Sequence, residues 1–372
     1  MTHSQVGIPC CLMRGGTSKG PFFLESDLPA DLATRDQVLL AVMGSPDPRQ
    51  INGVGGAHPL TSKVGIVRAG TTPGVDLEFL FAQLQPDSDV VDTTPNCGNM
   101  LAASVPFAIE MGLLKADDGR VTFRVLTRNT GVLSDITVTV ADGQMVYEGD
   151  ARIDGAPGTA SPVTINFLDT AGSVCGSLLP TGNVKDVVDG VEVTCIDNGM
   201  PVVVMRAADL DRTGYESVAD LNADTELKTR IESIRLKAAV LMGLGDVTTK
   251  NFPKMCLVAP PQNGGCISTR CFIPHVCHEA VGVLAAVTIA SACILKGSVC
   301  DGVAVMPGGQ RMSLSVEHPS GEFTIDTSLD PNDPQRIDQA ALLRTARLLM
   351  KGQAMVPADV WPDAAGATGK AA

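Results

Sequence analysis

The chain contains a mostly apolar run, Leu101 to Leu114, directly after the segment Pro95-Asn96-Cys97-Gly98-Asn99-Met100. An apolar run of this length predicts a helix that is buried on most of its surface, although Pro106 would kink it or delay its start. Asn96 is a suitable N-cap residue, which would place Cys97 in the first turn. Free backbone N–H groups and the positive end of the helix dipole would then favour a thiolate and attract an anion.

Cys97 has two interpretations at this stage. In the first, Cys97 is a proton-transfer group beside a bound carboxylate, and Gly98 allows the ligand to approach the backbone closely. Alternatively, it is a small buried hydrophobic residue, which is the commoner role of a cysteine.

The second half of the chain repeats the plan of the first. Asp197-Asn198-Gly199 is a hairpin signal between two apolar runs, and a small-residue helix is predicted from about Glu279 to Leu295. Each half has a hairpin, a helix, strands, a loop with proline and then cysteine or histidine, and a buried helix. This order predicts a duplicated α+β protein in which each sheet curls around one central helix. The N-termini of the two central helices, at Cys97 and at Cys277-His278, would be the matching ends.

Loop-rich sequence near residue 180 marks the expected domain boundary. Residues 1–183 form the predicted N-terminal domain, and residues 184–337 form the second domain. Residues 338–372 are a tail that packs back on the N-terminal domain, with a helix predicted from Ala340 to Met350.

Composition limits the classes of partner. The 372 residues are 44% apolar and carry a formal charge of −13, which argues against nucleic acid, because phosphate binding needs a basic surface. A small anionic substrate would need a local cluster of cations to overcome the repulsion from this negative net charge. The sequence also lacks an apolar stretch long and clean enough to span a bilayer.

Eleven cysteines and the absence of a secretory signal in Met1 to Gln5 predict free thiols in a reducing cytoplasm. The oligomeric state stays open, a homodimer being one option.

Two glycine-rich loops end in hydroxyls and a lysine. The first, Arg14-Gly15-Gly16-Thr17-Ser18-Lys19-Gly20, is either an anion-contacting turn or a solvated one. The second, Asn52 to Lys63, ends in Thr-Ser-Lys at the start of a predicted strand. Lys63 is therefore either an ordinary surface lysine or a functional residue at the start of a core strand.

Three kinds of chemistry fit the sequence poorly. Cys266, Cys271, Cys277 and His278 lie close in sequence, but their spacing is not that of a zinc site. A Cys–His hydrolase would pair Cys97 with His275 or His278, yet neither an oxyanion hole nor an orienting carboxylate can be placed. Nucleotide-binding motifs are absent. We therefore expect a protein that works without a metal or an organic cofactor.

Proton transfer between carbon atoms remains, and its requirements are one base, one acid and cations that hold a carboxylate or enolate. Lys63 is the candidate base and Cys97 the candidate acid. Arg270, His275 and His278 are candidate carboxylate-binding residues, although either histidine could equally be structural.

Four motifs in this order resemble the PrpF-like family of the diaminopimelate-epimerase fold, and within it the 4-oxalomesaconate tautomerases and Δ-isomerases of aromatic-compound degradation. They are Met13-Arg14-Gly15-Gly16-Thr17-Ser18-Lys19-Gly20, Leu60-Thr61-Ser62-Lys63, Asn96-Cys97-Gly98-Asn99, and Pro274-His275 with His278. Thr194 to Pro201 and His318 to Phe323 add to the similarity. No single motif is specific, but their order along one chain is.

The resemblance implies two similar α+β halves with the active site in the cleft between them, and no metal or organic cofactor. By similarity, Lys63 would remove a proton next to a carboxylate, and Cys97 would deliver one at the far end of the allylic system. The implied residues of the tricarboxylate site are Arg14, Thr17, Ser18, Lys19, Ser62, Asn96, Gly98, Asn99, Arg270, His275 and His278.

Several alternatives stay open. The same residues would suit aconitate or methylaconitate, and a protein that only binds small carboxylates is an alternative of another class. Keto–enol tautomerisation and a 1,3-allylic shift begin with the same proton abstraction. Epimerases of this fold use two opposed cysteines, and either Cys277 or His278 could match the second one.

Overall fold

The computed structural model describes residues 5–168, 170–309, 311–330 and 333–362. The chain forms two compact units, the first comprising residues up to Ile165 and from Arg344 onward, the second Asn166–Leu343.

The first unit is built mainly of strands that surround short buried helices. Its strands are β1 (Gln5–Gly15), β2 (Ser18–Leu24), β3 (Lys63–Ala69), β4 (Leu77–Leu84), β5 (Val91–Asp92), β6 (Gly119–Thr127), β7 (Val132–Ala141), β8 (Gln144–Met145) and β9 (Pro162–Phe167). Its helices are α1 (Leu32–Met43), α2 (Gly98–Leu101) and α3 (Ser104–Glu110), with 3₁₀ turns at Glu25–Asp27 and Pro59–Thr61. β1 and β2 are antiparallel, β2 and β3 parallel, and β3 and β4 antiparallel.

The second unit repeats this order. Its strands are β10 (Asp186–Val188), β11 (Val191–Asp197), β12 (Pro201–Arg206), β13 (Lys254–Ala259), β14 (Ile267–Phe272), β15 (Arg311–His318), β16 (Gly321–Asp330) and the start of β17 (Asp333–Pro357). Its helices are α4 (Val218–Ala223), α5 (Thr225–Leu241) and α6 (Val283–Ile294), with a 3₁₀ turn at Ala207–Leu210. β11 and β12 are antiparallel, β12 and β13 parallel, and β13 and β14 antiparallel.

The central helices are apolar because sheet surrounds them. α2 and α3 contact strands β1 to β4, β7 and β8, and α6 contacts β11, β12, β15 and β16. Residues 285–293 of α6 are all buried, which explains the absence of a polar face. In the part of the chain that the structure describes, we find no helix with the length and apolarity needed to cross a bilayer.

The predicted helix from Ala340 to Met350 is wrong, because these residues belong to β17. β17 pairs antiparallel with β1, from Ala346 opposite Gly15 to Pro357 opposite Gln5. Buried Ala354 and Val356 alternate with exposed neighbours, as expected for a strand with one face on the core.

The division between the two units lies earlier than the expected boundary at residue 183. Asp197 explains the difference, because it holds the preceding loop against β11. Its carboxylate accepts hydrogen bonds from the backbone N–H groups of Val174 and Cys175, both at 2.8 Å. Its backbone carbonyl accepts a 2.8 Å hydrogen bond from Gly172. These contacts attach the loop to the second unit.

Candidate active site

Cys97 precedes the first central helix rather than lying inside its first turn. It is the N-cap residue of α2, with a φ of −141°, and Asn96 Oδ1 accepts a 2.7 Å hydrogen bond from the Cys97 N–H. The predicted N-cap role of Asn96 is therefore wrong by one position. α2 ends at Leu101 and α3 begins at Ser104, so the helix is broken before Pro106. Because α2 has a single turn, its dipole contributes less than a long helix would.

Lys63 and Cys97 lie together in the first unit. Lys63 is the first residue of β3 and is only 7% exposed. Its Nζ lies 3.8 Å from Cys97 Sγ and donates a 2.6 Å hydrogen bond to Gln83 Oε1. The Nζ also lies 4.9 Å from the ring centroid of Phe81. A buried amine beside a half-buried thiol is an arrangement that can move protons.

Gln83 contacts Lys63 and is a candidate site residue that sequence reasoning missed. It lies opposite Lys63 in the β3–β4 register. Its amide nitrogen is within hydrogen-bond distance of the carbonyls of Pro59, Ser62 and Leu84, at 3.1, 3.3 and 2.8 Å. These contacts direct the amide oxygen toward Lys63. The only sequence feature that could have indicated Gln83 was the alternation of apolar residues along β4.

Ser62, a predicted substrate-binding residue, is buried and braces the glycine-rich loop. Its Oγ lies 2.9 Å from both Gln50 Oε1 and the His58 carbonyl. Gln50 Oε1 also accepts a 2.8 Å hydrogen bond from the Ala57 N–H. The hydroxyl of Ser62 therefore holds the loop that leads to Lys63.

The β1–β2 turn is attached to the segment that carries Cys97. Asn99 Nδ2 donates a 2.9 Å hydrogen bond to Thr17 Oγ1, and Asn99 Oδ1 accepts a 3.0 Å bond from Arg344 Nε. A Cβ at Gly15 would lie 2.2 Å from the Asn99 carbonyl oxygen, so this close approach requires glycine. The predicted residues Thr17, Gly98 and Asn99 are thus brought together.

Arg344 is a second residue that the sequence did not indicate. Burial lowers the pKa of this guanidinium, and the charge of Cys97 opposes that shift. The 3.0 Å contact of its Nε with Asn99 Oδ1 places this buried cation beside the segment that carries Cys97. Arg344 was missed because it lies on β17, whose pairing with distant β1 begins two residues later, at Ala346.

Arg14 and Lys19 lie on the face of the hairpin opposite to Gly20. Arg14 is paired with Lys19, and Met13 with Gly20. A Cβ at Gly20 would lie 1.7 Å from the Lys63 carbonyl oxygen and 3.3 Å from Met100 Cε, so position 20 faces α2. Alternate residues of a strand face opposite sides, and Arg14 and Lys19 therefore face away. Ser18 is buried, and its Oγ has no hydrogen-bond partner in the described structure.

The predicted residues of the second unit surround its Cys277 loop. Arg270 donates to the carbonyls of Glu216 and Thr269, at 2.8 and 2.9 Å. His275 Nδ1 lies 3.5 Å from Glu232 Oε2. Their proposed carboxylate binding, like that of His278, stays a prediction.

Cys277 and His278 do not begin the second central helix as expected. α6 starts at Val283, whereas Cys277 forms a bridge with Phe272. Burial raises the pKa of the Cys277 thiol to about 11, so this thiol stays protonated near neutral pH. Much of the His278 side chain is exposed, but partial burial of the ring, and after it the charge of Lys254, lowers its pKa.

Lys254 is the counterpart of Lys63 in the second unit. It is the first residue of β13, which is parallel to β12 as β3 is to β2. It is 8% exposed, its Nζ donates a 2.6 Å hydrogen bond to the Asn251 carbonyl, and burial lowers its pKa. A lysine that opens a buried strand at the same place in each repeat was the signal that sequence reasoning overlooked.

Among the described residues, no three His, Cys, Asp or Glu side chains are grouped as ligands for a metal ion. The expected independence from metals and organic cofactors stays a prediction.

Known proteins match almost the whole chain. The family described as PrpF protein matches residues 5–357. The 4-oxalomesaconate tautomerase of Pseudomonas putida (strain KT2440) is 54% identical over 96% of this chain and 98% of its own length. The (4E)-oxalomesaconate Δ-isomerase of Novosphingobium sp. (strain KA1) is also 54% identical, over 94% of this chain and 97% of its own.

A crystal structure of a methylitaconate Δ-isomerase superposes with a TM-score of 0.86 at 34% identity, covering 96% of this chain and 97% of that one. The expected α+β fold class and the isomerase class are thereby confirmed. The chain belongs to the PrpF family.

Proposed function

We propose that this protein moves a double bond in an unsaturated tricarboxylic keto acid, with 4-oxalomesaconate as the substrate. The observation that carries the proposal is the buried Lys63 amine, 3.8 Å from the thiol of Cys97. The names and 54% identity of the two oxalomesaconate enzymes support the choice of substrate.

The proposed reaction uses Lys63 as the base and Cys97 as the acid. The neutral amine of Lys63 takes a proton from the carbon next to a carboxylate, and the electrons of that C–H bond enter the conjugated system as a dienolate. The thiol of Cys97 then gives its proton to the far carbon, which completes the shift of the double bond. Transfer of the proton from the ammonium to the thiolate restores both groups without any other reactant.

The start of α2 supports the binding of one substrate carboxylate. The first N–H groups of a helix have no partner within the helix, and those of Gly98 and Asn99 immediately follow Cys97. We propose that they bind a carboxylate of the substrate, while Asn96 and Thr17 hold this segment in place through the contacts described above. Hydrogen bonds to an anion strengthen as charge develops in the transition state.

The test is proton NMR of 4-oxalomesaconate in D₂O with chelator-treated protein. New vinyl signals and deuterium at one defined carbon are expected. Lys63→Met should abolish both, whereas Lys115→Met, which removes an exposed lysine of the same unit, should retain them. Deuterium exchange without a shifted double bond would favour keto–enol tautomerisation.

An unchanged spectrum with wild-type protein would overturn the substrate assignment, and aconitate and methylaconitate would then be tested in the same way. Binding of all three compounds without turnover would identify a carboxylate-binding protein. Removal of Lys63 would then change affinity alone.

We also propose that the enzyme acts in the cytoplasm, on the basis of its odd number of cysteines, 11 in all, which suits a reducing compartment.

A further inference from the structure

A cavity of about 550 Å³ lies on the face of the β1–β2 hairpin that carries Arg14 and Lys19. Neither Lys63 nor Cys97 lines it. The lining residues that matter for its chemistry are Arg14, Thr17, Lys19, Tyr147, Glu148 and Arg347.

Three cations stand side by side in this cavity. In the strand register Arg14 lies opposite Arg347 of β17 on one side and opposite Lys19 of β2 on the other. Adjacent strands are about 5 Å apart, so the three side chains occupy one row on one face. Burial and then the charge of Arg347 lower the pKa of Arg14. The two guanidinium groups are therefore close enough to repel each other.

These cations lack carboxylate partners within the described part of the chain. Arg14 Nη1 donates to the Gly16 carbonyl, at 2.8 Å, and to the carbonyl and hydroxyl oxygens of Thr345, at 3.2 and 3.0 Å. No described Asp or Glu comes within 4.0 Å of the charged nitrogens of Arg14, Lys19 or Arg347. Glu148 lines the same cavity but does not form an ion pair with any of the three. Like charges gathered in a partly buried place are unfavourable unless an anion compensates them.

The neutral groups of the cavity also suit an anion. Thr17 Oγ1 accepts the hydrogen bond of Asn99 Nδ2, which leaves its own O–H free to donate to a ligand. Tyr147 donates to Glu110 Oε1 at 3.1 Å and forms an apolar wall with its ring. Three cations against one carboxylate give the cavity a positive charge in a chain that is strongly negative overall.

We propose that this cavity is a binding site for a small polycarboxylate, separate from the Lys63–Cys97 site. Two adjacent guanidinium groups match two carboxylates, because each can form a bidentate pair. A volume of about 550 Å³ fits a metabolite of several carbon atoms, whereas inorganic phosphate would fill little of it. The site does not depend on whether the enzyme acts on 4-oxalomesaconate.

The test uses fluorine NMR of protein that contains 3-fluorotyrosine. The chain has two tyrosines, and Tyr147 lines the cavity whereas Tyr215 belongs to the second unit. The Tyr215→Phe variant assigns the remaining signal to Tyr147. Propane-1,2,3-tricarboxylate, which has no double bond to move, is added at constant ionic strength. A saturable shift of the Tyr147 signal is expected.

Arg347→Gln and Lys19→Gln should each raise the half-saturating concentration about tenfold, because each removes a charged hydrogen-bond donor. Arg120→Gln, which removes an exposed arginine of the same unit, should leave it unchanged. A Tyr147 signal that does not move, or that responds equally in Arg347→Gln, would overturn the proposal. Saturation by inorganic phosphate at a lower concentration would overturn the assignment to a polycarboxylate.

Lys63→Met protein separates this proposal from the proposed function, since it should lack turnover yet show the same Tyr147 titration. Loss of the titration in Lys63→Met would make the cavity part of the catalytic site, and the separate site would be refuted. An inactive wild-type protein that still shows the titration would refute only the proposed isomerisation.

Discussion

The side-chain oxygen of Gln83 accepts a 2.6 Å hydrogen bond from the Nζ of Lys63. Because an amide carries no charge, this contact holds the amine without stabilising its ammonium form as a carboxylate would. Three backbone carbonyls fix the orientation of the amide. We therefore expect Gln83 to act through Lys63, as a positioning residue.

Gln83→Leu should lower kcat about 10- to 100-fold with little change in KM, because a misplaced base loses rate rather than ground-state binding. Gln83→Glu should lower kcat further, since a carboxylate at 2.6 Å would favour the ammonium form. Steady-state kinetics, with thermal unfolding as the check on folding, measure both. Equal kcat values for wild type and Gln83→Leu would contradict this role.

Cys97 should be the first cysteine that iodoacetamide modifies. Apart from Cys97 and Cys175, the cysteines are buried. Burial and the neighbouring Asp197 raise the pKa of the Cys175 thiol to about 12. Since alkylation requires the thiolate, Cys175 should stay unmodified near pH 8 and become reactive only as the pH approaches that pKa.

Peptide mass spectrometry after brief labelling at pH 8 measures the order of modification. The Cys97→Ala variant is the control and should take up almost no label under the same conditions. Labelling of Cys175 before Cys97 at pH 8 would contradict the prediction.

Local patterns were sufficient where neighbouring residues determine the structure. The Asp197-Asn198-Gly199 signal correctly placed the β11–β12 hairpin, since turn chemistry is local. The duplicated order was also predicted correctly, and both central apolar segments contain helix, although the first is broken after Leu101 and the second begins only at Val283. The pairing of Lys63 with Cys97 is visible in the sequence only through the resemblance to a family, because the two residues come from separate loops.

Features that depend on distant pairing could not be predicted. The tail forms β17 because it pairs with β1, which lies at the other end of the chain. The local sequence of the tail does not indicate this partner. The resemblance places Arg14 and Lys19 in the substrate site because of their position in a motif. Their actual direction depends on the strand register, in which a shift of one residue reverses the face.

Gly20→Ala should destabilise the first unit and disturb Lys63. The added Cβ would lie 1.7 Å from the Lys63 carbonyl oxygen. Displacing this oxygen costs free energy, because it belongs to the backbone of a paired strand. We expect a loss of about 3 kcal/mol in the free energy of unfolding, measured with urea. Gly352→Ala on β17 is the matched control, since a Cβ there meets no atom within 4 Å. Equal stability of the two variants would refute the close approach of β2 to β3.

Lys254→Met should raise the pKa of His278. Burial is the larger cause of the lowered pKa of this histidine, and the charge of Lys254 is the second. Removing the lysine removes only the second cause, so the pKa should move up toward its ordinary value without reaching it. Histidine NMR titration measures the change, and Lys250→Met, which removes an exposed lysine that precedes β13, is the control. A pKa of His278 that is unchanged in Lys254→Met, or that rises equally in both variants, would show that the buried lysine does not act on this histidine.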